Sequence, residues 1–161
     1  MNSPSPDINS KDRLVVAIST GLYTGLFPIV PGTIGTIPAW ALGYFAFREN
    51  ASMLAMATVV LTLISIWAAG AAEARFGHDS KKIVIDEWAG MFVTLLFTPP
   101  TLGWYCAAFA AFRFFDVLKL WPAAQAEQLP RGWGVTADDI VAGLQAGVTV
   151  SIFVRWIIPS A

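Results

Sequence analysis

The sequence predicts an all-α fold: a compact multi-helix integral membrane protein with about five membrane-crossing helices and a broken or re-entrant N-terminal segment. Of the 161 residues, 56% are hydrophobic and only 13% are charged, whereas soluble domains carry about 25% charged residues. Several apolar runs also approach the ~20 residues that a helix needs to cross a bilayer. The length fits one domain, which we place at residues 14–161, after a flexible polar tail at residues 1–13.

The N-terminal region is the least regular of the predicted elements. Residues 14–30 are apolar and are expected to be interfacial or re-entrant. Residues 31–38, PGTIGTIP, contain two prolines and two glycines and predict a break in the helix. Residues 39–47 then resume the apolar run and form the first crossing. A broken segment at membrane depth is tolerated where it lines a cavity in the protein.

The other predicted crossings lie at residues 53–72, 83–97, 101–118 and 140–158. The run at 83–97 is the shortest, and it crosses only if Asp86 and Glu87 lie at the membrane edge. The run at 101–118 contains Arg113 and Asp116, and a charged stripe on an apolar helix must face away from lipid.

Basic residues set the predicted orientation, because Lys and Arg favour the cytoplasmic side of a membrane. The connecting segments at residues 1–13, 73–85 and 116–138 contain most of them, whereas those at 48–52 and 98–103 contain only Arg48. The N-terminus is therefore expected inside and the C-terminus outside. This topology gathers six of the eleven acidic residues at or near the cytoplasmic face: Asp79, Asp86, Glu87, Asp116, Asp138 and Asp139.

FRFFDVLKLWP, at residues 112–122, is the most informative motif. Its charged residues Arg113, Asp116 and Lys119 are spaced by three and are expected to share one helical face. Mutual ion pairing is the structural alternative. The functional interpretation is a carboxylate beside two cations that hold an anionic substrate, because Arg binds phosphate in a bidentate manner and Lys acts as a point charge.

Two pairs of adjacent carboxylates mark predicted helix starts. Asp86 and Glu87 point about 100° apart on a helix, and favourable interaction with the helix dipole is the alternative to a functional role. Asp138 and Asp139 precede the last apolar run, where capping explains one aspartate more readily than two. We expect at least one carboxylate of each pair to face a polar site.

PGTIGT, at residues 31–36, is a candidate for phosphate binding through exposed backbone N–H groups. It lacks the lysine of a nucleotide-binding loop, and a turn inside a broken helix is the alternative. Its candidate donors are Gly32, Thr33, Gly35 and Thr36.

The available side chains exclude several chemistries. Several carboxylates and one histidine suit a hard cation such as Mg²⁺ rather than zinc. A histidine-nucleophile phosphatase needs at least two histidines. Cys106, which we expect to be buried, lacks an arginine at the spacing of a cysteine phosphatase. A net charge of −1 predicts no surface for nucleic acid.

With PGTIGT, IVIDEWAGM, FRFFDVLKLWP and ADDIVAG in this order, the sequence resembles the phosphatidylglycerophosphatase A family over residues 22–146. Asp79 also matches a recurrent aspartate of that family. Two positions depart from its usual pattern: Leu120 replaces a proline, and Thr136 replaces a common methionine. Neither change removes a charged or hydroxyl group, so retained activity is expected.

The resemblance implies a multi-pass enzyme of the bacterial inner membrane, with its active site facing the cytoplasm. It would hydrolyse the terminal phosphate of a phospholipid in the bilayer, phosphatidylglycerophosphate, to give phosphatidylglycerol and phosphate with Mg²⁺. The expected catalytic carboxylates and main Mg²⁺ ligands are Asp86, Glu87, Asp116 and Asp139. Secondary ligand candidates are Asp79 and Asp138. The expected phosphate contacts are Arg113, Lys119, Gly32, Thr33, Gly35 and Thr36. Direct attack by water activated by the metal is favoured, and an aspartyl-phosphate intermediate stays open.

A small membrane transporter or channel is the alternative function. Carboxylates within a membrane and a broken helix also mark pathways for cations or protons. Such a pathway needs polar groups near the membrane midplane, and residues 53–72 contain no charged residue. The gathering of acidic residues at one face therefore favours an interfacial enzyme.

Overall fold

The computed structural model describes residues 10–77 and 80–158 of the chain. Within these ranges the regular elements are helices, so the predicted all-α fold is confirmed. The α-helices in chain order are α1 (Ser10–Ser19), α2 (Pro31–Leu42), α3 (Ala51–Phe76), α4 (Ile85–Leu95), α5 (Leu102–Leu118), α6 (Ala123–Ala126) and α7 (Gly132–Ile157). Because α1 begins at Ser10, the end of the predicted tail at residues 1–13 is helical, and residues 1–9 lie outside the described ranges.

The short helix α4 lies at the centre of the bundle, where it contacts α2, α3, α5 and α7. Its apolar residues Met91, Phe92 and Leu95 are buried and pack with Tyr105 and Phe112 of α5. Burial of a side chain of this size stabilises the fold by about 1.5–3 kcal/mol. Packing on all sides therefore fixes α4, and with it the two carboxylates at its start.

Two glycines allow α4 and α7 to touch along their backbones. A Cβ atom at Gly143 would collide with the backbone of Gly90, and the Thr94 hydroxyl donates a hydrogen bond to the Gly143 carbonyl at 3.2 Å. Each glycine lies about one helical turn after a pair of carboxylates, and residues four apart share a helix face. The crossing therefore brings the carboxylates at positions 86 and 87 alongside those at 138 and 139.

The predicted number of about five crossings is wrong for the described part of the chain, where two helices, α3 and α7, are long and apolar enough to cross a membrane. Helix α4 has 11 residues, and at 1.5 Å per residue it rises about 17 Å, roughly half the ~30 Å of a hydrocarbon core. Helix α2 has 12 residues. Helix α5 has 17 residues and carries Arg113 and Asp116 near its end.

The break in the N-terminal region lies upstream of its predicted position. The segment at residues 31–38 is not a loop but the first two turns of α2. Pro31 is the first residue of that helix, where its missing N–H group has no intrahelical partner in any case, and Pro38 is accommodated inside it. The irregular backbone instead occupies residues 20–30, where Leu22 and Tyr23 have positive φ angles of 56° and 71°. A π-helical stretch at Gly43–Phe47 continues α2.

Candidate active site

A cavity of about 670 Å³ opens at the end of the bundle where α2, α4 and α7 begin and α5 ends. Nine of the residues proposed from the sequence line it. They are Gly32, Thr33, Asp86, Glu87, Arg113, Asp116, Lys119, Asp138 and Asp139. Three sequence motifs that are far apart in the chain, together with the start of PGTIGT, therefore meet at one site.

Arg113 connects α5 to α4 through an ion pair at the wall of this cavity. Its Nη1 atom lies 2.6 Å from Asp116 Oδ2 and 3.1 Å from Glu87 Oε2. The Thr36 hydroxyl donates a second hydrogen bond to Glu87 Oε2 at 2.6 Å. These contacts hold the Glu87 carboxylate in a fixed position between a hydroxyl group and a guanidinium group, and charge-assisted bonds of this kind are the stronger class.

Lys119 lines the cavity, but it lies just after α5 rather than within that helix, where it was expected. Helix α5 ends at Leu118, and Lys119 adopts a left-handed conformation with φ of 44° and ψ of 51°. Its Nζ atom pairs with Asp138 Oδ2 at 2.9 Å and with Glu127 Oε1 at 2.7 Å. The expected shared helical face therefore holds for Arg113 and Asp116, whereas Lys119 binds α7 and the segment after α6.

Within each pair of carboxylates the two members have different surroundings. Asp86 Oδ1 accepts a hydrogen bond from the backbone N–H of Glu87 at 3.0 Å, and Asp138 Oδ1 accepts one from the N–H of Asp139 at the same distance. Asp86, Asp138 and Asp139 are all buried. Asp86 and Asp139 pair with no cation among the described residues, whereas Glu87 and Asp138 do.

Burial and neighbouring carboxylates favour the protonated form of the acids at the start of α4. Burial, opposed chiefly by the Arg113 guanidinium, raises the pKa of Glu87 to about 7. Burial, reinforced by the Glu87 carboxylate, raises the pKa of Asp86 well above its usual range. Loss of solvation disfavours a charged carboxylate unless a cation compensates for it, so this cavity has an affinity for positive charge.

The donor chemistry of the cavity fits Mg²⁺. Five carboxylates face it against three basic side chains, and hard cations prefer oxygen ligands. Asp139 Oδ1 is buried without a hydrogen-bond partner, an arrangement that is costly unless a ligand satisfies it. Within the described ranges, however, no three His, Cys, Asp or Glu side chains are grouped closely enough to hold a metal ion by themselves. Mg²⁺ is commonly bound by one or two carboxylates together with water and substrate phosphate, and these residues fit that pattern.

Two of the proposed phosphate contacts do not line the cavity. Gly35 packs against Val84, since an added Cβ atom would lie 2.7 Å from the Val84 side chain, and its carbonyl accepts a hydrogen bond from Trp88 Nε1 at 2.8 Å. Thr36 is fully buried behind Glu87. Both residues therefore support α4, while Gly32 and Thr33 face the cavity. Asp79, a proposed metal ligand, lies outside the described residues.

Sequence reasoning missed several residues of the site. Lys81, Val30 and Val117 line the cavity, and Glu127 shares Lys119 with Asp138. The pair of lysines before IVIDE, Lys81 and Lys82, was the available signal for Lys81. The role of Glu127 depends on the fold of the segment after α6, and the sequence carries no local signal for it.

Comparison with known proteins agrees with the motifs. The sequence model described as "Phosphatidylglycerophosphatase A" matches residues 17–154, most of the chain. The chain belongs to the phosphatidylglycerophosphatase A family. The resemblance is thereby confirmed, and so is the prediction of an enzyme: the chain is a phosphatase by family.

Curated relatives match over nearly their whole length. The phosphatidylglycerophosphatase A of Escherichia coli is 35% identical over 86% of this chain and 83% of its own length. That of Haemophilus influenzae is 32% identical over 88% and 89%. A Bacteroides thetaiotaomicron protein named putative phosphatidylinositol-3-phosphatase is 36% identical over 90% and 96%. No solved structure matches the chain.

Proposed function

We propose that the protein is a Mg²⁺-dependent phosphatidylglycerophosphatase of phospholipid biosynthesis. It removes the terminal phosphate of phosphatidylglycerophosphate in the bacterial inner membrane to give phosphatidylglycerol and phosphate. The observation that carries this proposal is the cavity at one end of the bundle, where five carboxylates and three cations meet. Family membership supports the phosphatase chemistry.

Two exposed helical faces support a location in the membrane. On α3, Met56, Val59, Leu63 and Trp67 are exposed at helical spacing, and on α7 the exposed row is Leu144, Val148, Ile152 and Trp156. Only 28% of the apolar stretch of each helix is buried within the chain, whereas the core helix of a soluble protein is mostly buried. Lipid is the solvent that such faces require. Cys106, expected to be buried, is also exposed on α5.

The length of α7 supports a site at the depth of the lipid headgroups. With 26 residues the helix rises about 39 Å, more than the ~30 Å of the hydrocarbon core. Its first turns, which carry Asp138 and Asp139, can therefore lie outside the hydrocarbon while the rest spans it. The cavity would then face the phosphomonoester of a membrane lipid. Basic residues near the same end, such as Lys81, Lys82 and Arg131, favour the cytoplasmic side.

The residues of the cavity have different roles in the proposed hydrolysis of the phosphate. Asp86 and Asp139 would hold Mg²⁺, because they are buried without a paired cation, with Asp116 and Glu87 facing the same space. When bound, Mg²⁺ neutralises phosphate charge and activates a water molecule for in-line attack. Arg113 orients Glu87 and Asp116 and stabilises the charge that develops on the phosphate oxygens. Lys119 fixes Asp138 in the second turn of α7.

A transporter or channel function has less support from the geometry. A pathway needs charged or polar groups along the membrane-spanning helices, whereas five acidic residues of α4, α5 and α7 collect in the cavity at one end of the bundle. The geometry therefore favours an enzyme over a transporter or channel.

A substrate panel tests the proposal. Purified protein in mixed micelles is given phosphatidylglycerophosphate or phosphatidylinositol 3-phosphate at equal surface concentration, and phosphate release is measured. The second lipid is included because of the name of the Bacteroides relative. We expect a kcat/KM at least tenfold higher for phosphatidylglycerophosphate. A preference for the inositol lipid would overturn the proposed substrate while leaving the phosphatase assignment intact.

A further inference from the structure

The two cations that the motifs identify as phosphate contacts are already paired with carboxylates. Arg113 lies within ion-pair distance of both Asp116 and Glu87. Lys119 contacts both Asp138 and Glu127. The charge of each cation is therefore balanced by protein groups before any substrate arrives, and a second anionic group on the substrate would need a further contact.

Lys81 differs in its surroundings from Arg113 and Lys119, the other two basic side chains of the cavity. It lines the cavity from the segment just before α4, and it is exposed, whereas Asp86 and Asp139 at the base are buried. Among the described residues it forms no ion pair with a carboxylate. Lys81 therefore lies at the mouth of the cavity with its charge uncompensated by the described part of the chain.

Apolar residues flank the same mouth. Val30, before α2, and Val117, near the end of α5, both line the cavity, although their side chains are 59% and 69% exposed. The mouth thus combines a cation with apolar surface, and the base combines carboxylates with Arg113. A phospholipid with two phosphates has the same order of chemistry from its head to its tails: a terminal monoester, then a diester, then acyl chains.

We propose that Lys81 is a specificity-determining contact that binds the phosphodiester of the substrate while the terminal phosphate reaches the carboxylates at the base. This inference rests on the proposed function. The diester is separated from the monoester by a single glycerol unit, so it remains near the mouth when the monoester is at the base. A lysine acts on a phosphate as a flexible point charge, which suits a contact at an exposed rim.

The test compares two adjacent lysines. Lys81→Ala removes the rim cation, and Lys82→Ala is the matched control, because Lys82 is also exposed, does not line the cavity and instead lies over the ring of Phe76 at 5.4 Å. For phosphatidylglycerophosphate in mixed micelles we expect Lys81→Ala to raise KM by about 3–10-fold with kcat within twofold, as for the loss of a contact made equally in ground and transition states. Lys81→Arg should restore most of the affinity, and Lys82→Ala should match the wild type.

The possible outcomes distinguish the proposed role of Lys81 from the proposed function of the protein. Equal KM values for Lys81→Ala and Lys82→Ala, or a fall in kcat alone, overturn the role of Lys81 while the phosphatase activity stands. Absence of phosphate release by the wild type overturns the proposed function and this inference with it. The KM difference should also shrink as salt is raised, because the contact is exposed to screening, and a salt-independent difference would point to a structural defect.

Discussion

At the scale of single residues, the site depends on which carboxylates have a cation partner. Glu87, Asp116 and Asp138 are ion-paired. Asp139 is buried, and its Oδ1 atom has no hydrogen-bond partner. A buried carboxylate without compensation lowers stability, and such a group is expected where its charge serves a function.

Asp139→Asn should therefore have opposite effects on activity and stability. We expect phosphate release to fall at least 100-fold, because Asp139 is a proposed Mg²⁺ ligand. Without Mg²⁺ the free energy of unfolding should stay equal or rise by about 1 kcal/mol, because a buried charge is removed. Phosphate assays and thermal unfolding in detergent measure the two. Retained activity with a lower melting temperature would mean that Asp139 is a structural residue.

Glu87 gives the fold a pH dependence in the absence of metal. Its pKa in the folded protein is about 7 against an ordinary value of 4.5, so between these values the folded state binds more protons than the unfolded state. The contribution of Glu87 to stability then falls as pH rises from about 4.5 to about 7. Chemical unfolding in EDTA at several pH values should show this decline, and Glu87→Gln should make it shallower, while the raised pKa of Asp86 maintains part of it. A stability that rises over this range in the wild type would contradict the assignment.

At the scale of elements, the start of α2 has to fit against both α4 and α5. Gly32 is its second residue, and a Cβ atom there would collide with Glu87 Oε1 and lie 2.8 Å from Arg113 Nη2. The glycine thus leaves room for the ion pair that joins α4 to α5. Its role is close approach, since the first turn of a helix is otherwise suited to many residues.

Gly32→Ala should consequently displace the Glu87–Arg113 pair. We expect it to destabilise the protein by about 1–3 kcal/mol, as overpacking does, and to lower kcat at least tenfold. Gly103→Ala is the control, because Gly103 is likewise the second residue of its helix, α5, and no atom lies within 4 Å of an added Cβ. The control should be neutral or slightly stabilising. Equal effects of the two variants would show that the space beside Gly32 is unimportant.

The elements show which parts of this fold the sequence can predict. The helices α3 and α7 follow from long apolar runs, and the Arg113–Asp116 pair follows from spacing within one helix. The predicted start of the last helix at Asp138 and Asp139 was wrong, because α7 begins at Gly132 and both aspartates lie inside it. The prediction failed at residues 31–38, where prolines and glycines suggested a break. Pro31 is tolerated as the first residue of α2, and the glycines serve packing against α4 and α5. Such packing depends on distant parts of the chain and has no local signal.

The same reasoning explains the outcome for the candidate site. The sequence identified the carboxylates and Arg113 because each lies in a motif whose charge conflicts with an apolar surrounding. The phosphate contact of Lys119 stays a prediction, and the sequence did not predict that Lys119 pairs with Glu127 and Asp138. Whether a cation is paired is decided by the contacts between α5, α6 and α7, which spacing along the chain does not reveal.

At the scale of the whole molecule, a hydrophilic cavity lies at one end of a bundle whose long helices α3 and α7 present apolar faces outward. Both helices bring their cavity-side ends together, since a Cβ atom at Gly132 would collide with the backbone of α3 near Gly70. A lipid headgroup could then enter the cavity while its acyl chains remain in the bilayer. We propose that phosphatidylglycerophosphate is hydrolysed in this cavity with Mg²⁺.

Phosphate release from phosphatidylglycerophosphate by the purified wild-type protein, measured with MgCl₂ and again with excess EDTA, tests that claim most directly. We expect release with MgCl₂ that falls to background in EDTA and returns when Mg²⁺ is restored, because the carboxylates of the cavity need a cation to bind the phosphate. Equal release in EDTA, or no release with MgCl₂ from folded protein, would contradict it.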